Sequence, residues 1–352
     1  MTELVSVIIP AYNGAETIEE TLLSVRHQTH RALDIIVVDD GSTDGTLDIV
    51  RRQAREDSRI RLIRKANGGV ATARNHGIER AAAELIAPVD ADDLWHPTKI
   101  EKQLAALRRG GERVALVYTW FAVIDEHSRV IDATNNSLDE GNVLRRMCMG
   151  NLVGNGSSPL MRRQAVIDAG GYDPGLRAQN AQGCEDLKLY FAISRNHHFA
   201  VVKEHLTGYR WTPRNMSSDG MRMLRSYDLV MEPFGALHPE FGWEFHYGRG
   251  FFIEWLFQRA LRYDAFASAA GLAGALYRHD RPWALRALAR GCFAVGRKKL
   301  PRKRGLELTP AGTAIFGPTF LESADSAALT GFMPSSARDR TAMYQIEPKR
   351  MS

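Results

Sequence analysis

The chain has 352 residues, of which 44% are apolar and 25% are charged, and its formal net charge is +5. This composition is typical of a globular protein with a sizeable core and excludes a largely disordered chain. No stretch approaches the roughly 20 consecutive apolar residues that span a bilayer, so the sequence does not predict a transmembrane helix.

The first 120 residues alternate between short β-rich runs and helical patterns. Strands are predicted at residues 5–9, 35–38, 60–63, 85–89 and 114–118. Helices are predicted at residues 17–28, from Ser42 or Thr43 as the N-cap to about 55, and at 70–83 and 97–107. This alternation predicts an α/β fold with a mainly parallel sheet covered by helices on both faces. In such sheets, ligands bind beyond the carboxyl ends of the strands.

The pattern weakens after residue 120. A loop-rich stretch at 125–157 contains one short helix near 141–149. Further elements are a strand at 158–161, a turn at 170–173, a helix at 185–194, a strand at 198–202 and helices between 220 and 300. The last 50 residues show no clear periodicity, and we expect part of this tail to be mobile. The prediction is thus a catalytic unit at 1–218 and a mostly helical C-terminal extension at 219–352.

Asp90 and Asp92 follow a buried strand on a predicted turn, separated by one small residue. Two close carboxylates repel each other unless a cation neutralises them, and Mg²⁺ or Mn²⁺ prefers such oxygen ligands. The alternative interpretation is a solvated acidic turn that caps the helix beginning at Pro97.

Asp39 and Asp40 end another predicted strand, and Gly41 follows them. One of these carboxylates is placed to accept a hydrogen bond from a nucleobase or ribose, with helix capping as the alternative. Tyr12 follows the first strand and is placed to stack on a base; simple packing is the alternative.

Two further groups carry charge at predicted helix starts. Arg74 lies about one turn inside the helix that follows Gly68 and Gly69, where a cation can meet a diphosphate; a plain surface arginine is the alternative. Glu185 and Asp186 open a later helix. They either complement its dipole or supply a general base.

Five motifs occur in order: SVIIPAYNGAETIEETLLSVRHQT, IIVVDDGSTDGT, NGGVATARNHGI, DADDLWHPTKIEKQ and CEDLKLYFAI. Together they resemble family 2 glycosyltransferases, which have the nucleotide-sugar-binding GT-A fold. The resemblance covers roughly residues 3–215. It implies an inverting, metal-dependent transfer of a sugar from a nucleoside diphosphate sugar, with UDP-sugar as the expected donor, to a saccharide or lipid-linked acceptor.

The resemblance also assigns roles to residues. Pro10, Ala11 and Tyr12 would line the nucleobase pocket, Asp40 would reach the base and Asp39 would support it. Asp92 would hold Mg²⁺ or Mn²⁺ on the diphosphate, and Asp90 would contact the ribose or the metal. Asp93 would cap a helix or support the turn. Asp186 would deprotonate the acceptor, beside Glu185, and Asn67, Arg74 and Arg210 would complete the donor site.

One position departs from the family pattern. Related enzymes often carry His where this chain has Thr212, in the motif YRWTPRNMS. If that His normally assists the metal or the diphosphate, this enzyme binds them differently, with Trp211 and Arg214 as candidates to cover the donor phosphates.

Two other enzyme classes and one class of binding protein are the alternatives to this interpretation. A dehydrogenase would carry GxGxxG after the first strand, which PAYNGAE does not supply. A sugar nucleotidyltransferase would carry a Gly-rich basic loop after the first strand, which this chain also lacks. A third alternative is a sugar- or nucleotide-binding module without catalytic activity. The presence of all five acidic residues of the family motifs disfavours it, although Thr212 leaves it open; they are Asp39, Asp40, Asp90, Asp92 and Asp186.

Cellular location is predicted from the N-terminus, the cysteines and one basic segment. The N-terminus lacks the basic segment and cleavage site of a secretion signal, and Cys148, Cys184 and Cys292 have no CxxC spacing, so we expect reduced thiols in the cytoplasm. Residues 281–304 hold nine Arg or Lys and no Asp or Glu. This segment either lies on an anionic membrane surface or is the solvated face of a packed helix. The modest overall charge gives no reason to expect a nucleic-acid partner.

Overall fold

The computed structural model describes residues 3–133, 136–212, 218–299 and 320, with side chains as far as residue 291 and at residue 320. Its centre is a nine-stranded sheet in the order β3-β2-β1-β4-β8-β6-β9-β5, with β7 paired to β6. The strands are β1 (Val5–Ala11), β2 (Leu33–Asp39), β3 (Ile60–Arg64), β4 (Leu85–Pro88), β5 (Leu94–Trp95), β6 (Val114–Ile124), β7 (Val130–Asp132), β8 (Leu160–Arg162) and β9 (His198–Arg210).

Twelve α-helices are described, and a 3₁₀ turn (Pro239–Phe241) precedes the tenth. They are α1 (Ile18–Arg26), α2 (Thr46–Glu56), α3 (Val70–Glu79), α4 (Lys99–Gly110), α5 (Leu144–Met147), α6 (Arg163–Asp168), α7 (Gly175–Ala178), α8 (Glu185–Ser194), α9 (Gly220–Leu237), α10 (Gly242–Arg262), α11 (Phe266–His279) and α12 (Arg281–Lys299).

Alternation along the central strands explains why helices cover both faces. In β1, Ile8 packs into one apolar cluster, whereas Val7 and Ile9 pack into the other. The first cluster contains α3 and α8, and the second contains α1 and α4. Successive side chains of a strand point to opposite faces, so a continuous β-branched run requires cover on both sides. The predicted α/β layering is confirmed.

The sheet is mainly parallel, with three short exceptions. β1, β2, β3 and β4 are mutually parallel, and β6 pairs with β9 in parallel. The antiparallel β8 lies between β4 and β6, and β5 and β7 also run against their neighbours. The chain leaves β1 for β2 and β3 on one side and returns to β4 on the other. A crevice therefore opens at the carboxyl ends of β1 and β4, where α/β sheets bind ligands.

Some predicted boundaries were wrong. α2 begins at Thr46, so Ser42 and Thr43 do not cap it; Asp44 accepts a hydrogen bond from the Thr46 amide at 3.1 Å instead. The predicted helix at 141–149 is only the single turn α5. β6 and β9 extend beyond residues 118 and 202, because they pair with each other along most of their length. Mutual pairing lets a polar stretch such as KEHLTGYR stay extended, which its own pattern does not predict.

The C-terminal helices share an apolar core with the sheet. One cluster joins Tyr190 and Phe191 of α8 to Tyr227 and Phe234 of α9, and the rings of Phe191 and Phe234 lie 4.1 Å apart. In the tail, Phe320 is buried, and its amide donates to the Ser128 carbonyl at 2.9 Å. The rest of the tail predicted to be mobile lies outside the described residues. Among the described helices, none combines the length and apolar character needed to cross a membrane.

Candidate active site

A large cleft opens at the carboxyl edge of the sheet and extends to α8, α10 and α12. Its volume is about 1910 Å³, whereas a pocket for one drug-sized ligand typically measures about 300–1,000 Å³. The cleft therefore has room for two substrates. The predicted site residues that line it are Pro10, Ala11, Tyr12, Asp40, Asn67, Arg74, Asp90, Asp92, Glu185, Asp186 and Arg210. Asp39 lies behind this lining and is fully buried.

Tyr12 presents its ring to the cleft at the end of β1, with 54% of its surface exposed. The next residue, Asn13, has a positive φ of 50° and fixes this turn. Its amide donates to the Ser42 hydroxyl at 2.9 Å, and its side-chain oxygen accepts from the Thr43 amide at 2.8 Å. The loop after β1 is thereby attached to the loop after β2, and the Tyr12 ring has a free face for an aromatic partner.

Asp40 is already engaged by the protein. One carboxylate oxygen accepts from Lys65 Nζ at 2.6 Å and from the Gly68 amide at 2.9 Å, while the other accepts from the Gly69 amide at 2.7 Å. Gly69 has a φ of 90°, which favours glycine at this close approach. Asp40 thus holds the loop of Asn67 against the cleft. The neighbouring Asp39 accepts from the Ser42 amide at 3.2 Å.

The acidic turn that follows β4, residues 90–93, is held in place by hydrogen bonds to its buried residue Asp93. Its carboxylate accepts from the Ser157 hydroxyl and from the Arg210 amide at 2.8 Å. Burial raises the pKa of Asp93 well above its usual value, and the charges of Asp92 and Asp90 raise it further. The helix α4 begins only at Lys99. The prediction that Asp93 or its neighbours cap this helix was therefore wrong, whereas the supporting position of Asp93 is confirmed.

Arg74 connects the turn to the far side of the cleft. It is buried, forms an ion pair with Asp90, and its guanidinium carbon lies 5.0 Å from the centre of the Tyr172 ring. Although burial acts to lower its pKa, the opposing charge of Asp90 leaves the pKa raised. Arg74 is thus a buried, paired cation and not the surface arginine of the alternative interpretation.

Asp92 is the carboxylate best suited to a metal ion. Burial raises its pKa to about 6, and the nearby charge of Asp90 contributes to this shift. Within the described residues no side chain donates a hydrogen bond to the Asp92 carboxylate; the one side chain that hydrogen-bonds to Asp92, that of Arg210, donates to its backbone carbonyl. The described residues also contain no cluster of three or more His, Cys, Asp or Glu that could hold a metal. A pair of carboxylates without a third protein ligand fits Mg²⁺ or Mn²⁺, which complete their shells with phosphate oxygens and water.

Arg210 supports the turn from its buried position at the end of β9. Its guanidinium donates to the Asp92 carbonyl at 2.7 Å, to the Asp125 carbonyl at 2.7 Å, and to Glu20 at 2.8 Å. It also donates to the Ser128 hydroxyl at 3.0 Å. With its donors directed at protein acceptors, Arg210 is arranged to position the backbone of Asp92. A direct contact to the donor phosphates stays a prediction.

Asp186 faces the same cleft from the first turn of α8. It accepts from the Asn151 side-chain amide at 3.2 Å. Burial raises its pKa, Arg74 acts to lower it and Asp90 acts to raise it. A carboxylate with a raised pKa binds a proton more readily than an exposed one and so suits a general base. Its neighbour Glu185 is buried and accepts from the Gly183 amide at 2.9 Å.

Sequence reasoning missed two groups of cleft residues. The first is the loop NLVGNGSS, in which Ser157 contacts both Asp93 and the Asp90 amide, and in which Asn151 contacts Asp186. Its Asn, Gly and Ser content indicated a loop but not its place in the fold. The second is an aromatic and basic wall from the helical extension, formed by Trp243, Tyr247, Trp255, Arg259, Trp283 and Arg286. The concentration of tryptophan in this region was the available signal.

The sequence model of Glycosyl transferase family 2 matches residues 6–169. TuaG of Bacillus subtilis carries the name of a teichuronic acid biosynthesis glycosyltransferase. It is 39% identical to this chain over 240 residues, which are 67% of this chain and 90% of TuaG. An uncharacterized glycosyltransferase of Rickettsia bellii is 28% identical, and the match spans 64% of this chain and 32% of that longer protein.

Two solved structures show the same fold at low identity. The mannosyltransferase PcManGT from Pyrobaculum calidifontis, in complex with GDP-Man and Mn²⁺, has a TM-score of 0.50 at 20% identity, covering 85% of this chain and 88% of that one. TarS 1-349 of S. aureus, in complex with UDP-GlcNAc, has a TM-score of 0.50 at 17% identity, covering 76% and 89%. Given this fold, the ordered motifs and the near full-length match to TuaG, the chain belongs to glycosyl transferase family 2 and is a glycosyltransferase with the GT-A fold.

Proposed function

We propose that this glycosyltransferase transfers a sugar from a nucleoside diphosphate sugar to an acceptor hydroxyl, with inversion at the anomeric carbon and with Mg²⁺ or Mn²⁺ as cofactor. One observation carries the proposal. A single cleft is lined by the exposed ring of Tyr12, by the carboxylates of Asp90 and Asp92, and by Asp186 on a different element. These are the three parts that the reaction needs: a base-stacking surface, a cation site and a general base.

The donor site is assigned to the loops after β1, β2 and β4. Tyr12 stacks on the nucleobase between Pro10 and the loop that Asp40 holds, and Asp92 with Asp90 binds the metal ion. When bound, the metal neutralises the charge that develops on the departing nucleoside diphosphate. Arg74 keeps Asp90 in place through their ion pair, and Arg210 fixes the backbone of Asp92 through its carbonyl.

Asp186 is assigned as the general base. An acceptor hydroxyl is a weak nucleophile until a positioned base takes its proton, an effect worth roughly 10²- to 10⁴-fold. Inversion by one displacement requires the base to lie across the sugar from the leaving diphosphate. Asp186 on α8 and the acidic turn after β4 belong to different elements that line one cleft, which supports this assignment.

The substrate class is drawn from the similar proteins. TuaG is named for teichuronic acid biosynthesis, and the TarS and PcManGT structures contain UDP-GlcNAc and GDP-Man. We therefore place this enzyme in the assembly of a surface polysaccharide or glycolipid precursor. UDP-sugar is the first donor to test and GDP-sugar the second, with a saccharide or lipid-linked acceptor.

The test is a thermal-shift panel of UDP, GDP, dTDP and CDP, each with and without Mn²⁺. We expect one nucleotide to stabilise the protein in a metal-dependent way, and the Asp92→Asn variant to lose the metal-dependent part. The exposed Asp168→Asn variant is the matched control and should behave as wild type. Stabilisation by no nucleotide, or an equal response in Asp92→Asn, would refute the donor site.

Turnover separates the two enzymatic alternatives. A glycosyltransferase supplied with the matching donor releases the nucleoside diphosphate, whereas a sugar nucleotidyltransferase releases pyrophosphate from a nucleoside triphosphate. We expect slow hydrolytic release of the diphosphate from the donor even without the natural acceptor. Pyrophosphate release from a nucleoside triphosphate and a sugar phosphate would contradict the proposal.

Membrane contact through residues 281–304 finds little support in the part of the segment that is described. Trp283 donates to Glu254 of α10 at 2.6 Å, and Ala284 and Ala287 are buried. Arg290 pairs with Glu254, so this charge is directed at the protein. These contacts favour the packed-helix interpretation; the side chains of 292–304 lie outside the described residues. Cosedimentation with anionic vesicles at low salt would support membrane contact, and its absence would exclude it.

A further inference from the structure

Arg259 on α10 is a buried cation that no described residue supplies with a hydrogen-bond acceptor. Its side chain lines the cleft, yet the residue is only 5% exposed. None of its three guanidinium nitrogens has a hydrogen-bond partner among the described residues. The neighbouring Tyr209 hydroxyl acts to raise the pKa of Arg259 by its charge and by a weak hydrogen-bonding contact, but no guanidinium nitrogen reaches it at the distance and angle of a full hydrogen bond.

Other buried arginines of the cleft have protein acceptors, although the Nε of Arg74 has none among the described residues. Arg74 pairs with Asp90, and Arg210 donates to four acceptors. A guanidinium stays charged inside a protein, and burying it without acceptors is unfavourable. Burial accordingly lowers the pKa of Arg259. A side chain kept in this state at the wall of a ligand cleft is typical of a group whose partner is the ligand.

Aromatic rings hold the guanidinium in place and leave its N–H edges unused. The guanidinium carbon lies 4.6 Å from the centre of the Trp211 ring and 5.6 Å from that of Trp255. Trp211 and Trp255 meet edge to face, with their ring centres 6.2 Å apart. Stacking satisfies the faces of a guanidinium, but hydrogen bonds form only in its plane. The in-plane donors are therefore available to a planar or tetrahedral oxyanion.

We infer that Arg259, held by Trp211 and Trp255, is an anion-binding subsite that takes a phosphate group of a substrate. Arg262 adds positive charge here, with its guanidinium carbon 5.8 Å from the Trp211 ring centre. The subsite deepens the proposed function and rests on it for the nature of the substrates. The phosphate has two possible sources, the diphosphate of the donor and a phosphate carried by the acceptor.

The position of the subsite is defined by β9. Trp211 directly follows Arg210, which contacts the backbone of Asp92. Tyr209 is within electrostatic range of both Arg259 and the acidic turn. The helical extension thus places a cation near the proposed metal site, at the point where the family pattern often has His and this chain has Thr212.

The test measures binding of inorganic pyrophosphate by isothermal titration calorimetry, in EDTA so that the metal site does not contribute. We expect wild type to bind pyrophosphate, and the Arg259→Gln variant to lose at least about tenfold in affinity, as expected for a lost charge-assisted contact. Arg259→Lys, which keeps the charge but loses the planar fork, should be intermediate. Arg225→Gln removes an exposed charge outside the cleft and should bind as wild type.

A thermal melt of the unliganded variant separates ligand binding from a structural role. Stacking on Trp211 and Trp255 offsets only part of the cost of burying a charge without acceptors, so Arg259→Gln should melt close to or above the wild-type temperature. If pyrophosphate binding is equal in wild type and Arg259→Gln, or is absent from both, the subsite is refuted. If Arg259→Gln fails to fold or melts well below wild type, Arg259 is structural and the inference is also refuted.

Repeating the titration with the matching nucleoside diphosphate at saturation identifies the source of the phosphate. If the nucleotide abolishes the Arg259-dependent binding, the subsite holds the donor diphosphate. If pyrophosphate still binds, the subsite serves the acceptor. The metal-dependent, Asp92-dependent response to nucleotides is measured separately, so a failed donor site and a failed Arg259 subsite give different results.

Discussion

At the scale of single residues, carboxylates of the same type have different environments and therefore different roles. Asp40 and Asp93 each accept several hydrogen bonds from the protein and hold neighbouring loops in place. Asp92 and Asp186 face the cleft with raised pKa values. Burial alone does not separate these groups, because all are largely shielded. The supply of protein donors separates Asp92, because no described side chain donates to its carboxylate and it is left for a cation. Asp186 keeps the Asn151 side chain and the Leu187 amide as donors and is distinguished by facing the cleft from α8.

Replacing Asp92 should abolish function without harming the fold. Asp92→Asn removes a carboxylate that burial and Asp90 disfavour, so the unliganded protein should be as stable as wild type or more stable, by about 1–2 kcal/mol. Metal-dependent nucleotide binding should be lost. Chemical denaturation and calorimetry with Mn²⁺ measure the two effects. A clear loss of unliganded stability would contradict the unsatisfied state of Asp92.

Asp186 sets the expected pH dependence of catalysis. The base works only when ionised, and burial together with Asp90 raises its pKa while Arg74 opposes the shift. Activity should therefore fall as the pH is lowered through that raised pKa. Asp186→Asn should lower kcat by about 10²- to 10⁴-fold and leave nucleotide affinity unchanged. Steady-state rates across pH give the test, with Asp168→Asn as control; a variant with near wild-type kcat would eliminate Asp186 as the base.

At the scale of elements, the acidic turn after β4 depends on segments that are distant in sequence. Ser157 donates to Asp93, and Arg210 connects the turn to α1 and to the β6–β7 connection. The turn therefore has one rigid conformation only when β9 is in place. The sequence therefore shows the DADD motif, at residues 90–93, but does not predict the conformation of the turn, because the contacts that fix it come from distant segments.

Arg210→Gln tests this support. Removing a buried guanidinium leaves Glu20 without its ion pair and two carbonyls without their donor, so we expect a loss of about 3 kcal/mol in the free energy of unfolding. Metal-dependent nucleotide binding should weaken as well, because the backbone of Asp92 is released. The control is Arg51→Gln, which breaks an exposed pair with Asp48 and should change stability by less than about 1 kcal/mol. A variant that keeps full stability would show that the network is dispensable.

At the scale of the whole molecule, the helical extension shares an apolar cluster with the catalytic sheet and completes the cleft. Phe234 of α9 packs on Phe191 of α8, and α10 and α12 supply the aromatic and basic wall. The catalytic unit 1–218 and the extension 219–352 were predicted as separate domains. The shared cluster leads us to expect that they unfold together.

Phe234→Ala tests this coupling. Truncating a buried ring should cost about 3 kcal/mol and lower the temperature of a single cooperative transition. Leu285→Ala removes a side chain that is 61% exposed and serves as control, with little expected change. Two transitions in differential scanning calorimetry, of which only one moves, would show that the extension unfolds independently.

The sequence by itself determined the layered α/β fold, because alternating β-branched runs and helical patterns are local signals. It also determined which residues end the strands, and hence that Tyr12, Asp40, Asp92 and their neighbours meet at one edge. Only the tertiary structure decided which carboxylates hold the loops and which face the cleft, since this depends on donors such as Ser157 and Arg210 that arrive from distant segments. Arg259 is the clearest case. In the sequence it is an ordinary arginine of a predicted helix. Only packing against Trp211 and Trp255 buries its charge at the wall of the cleft, where no described residue accepts a hydrogen bond from it.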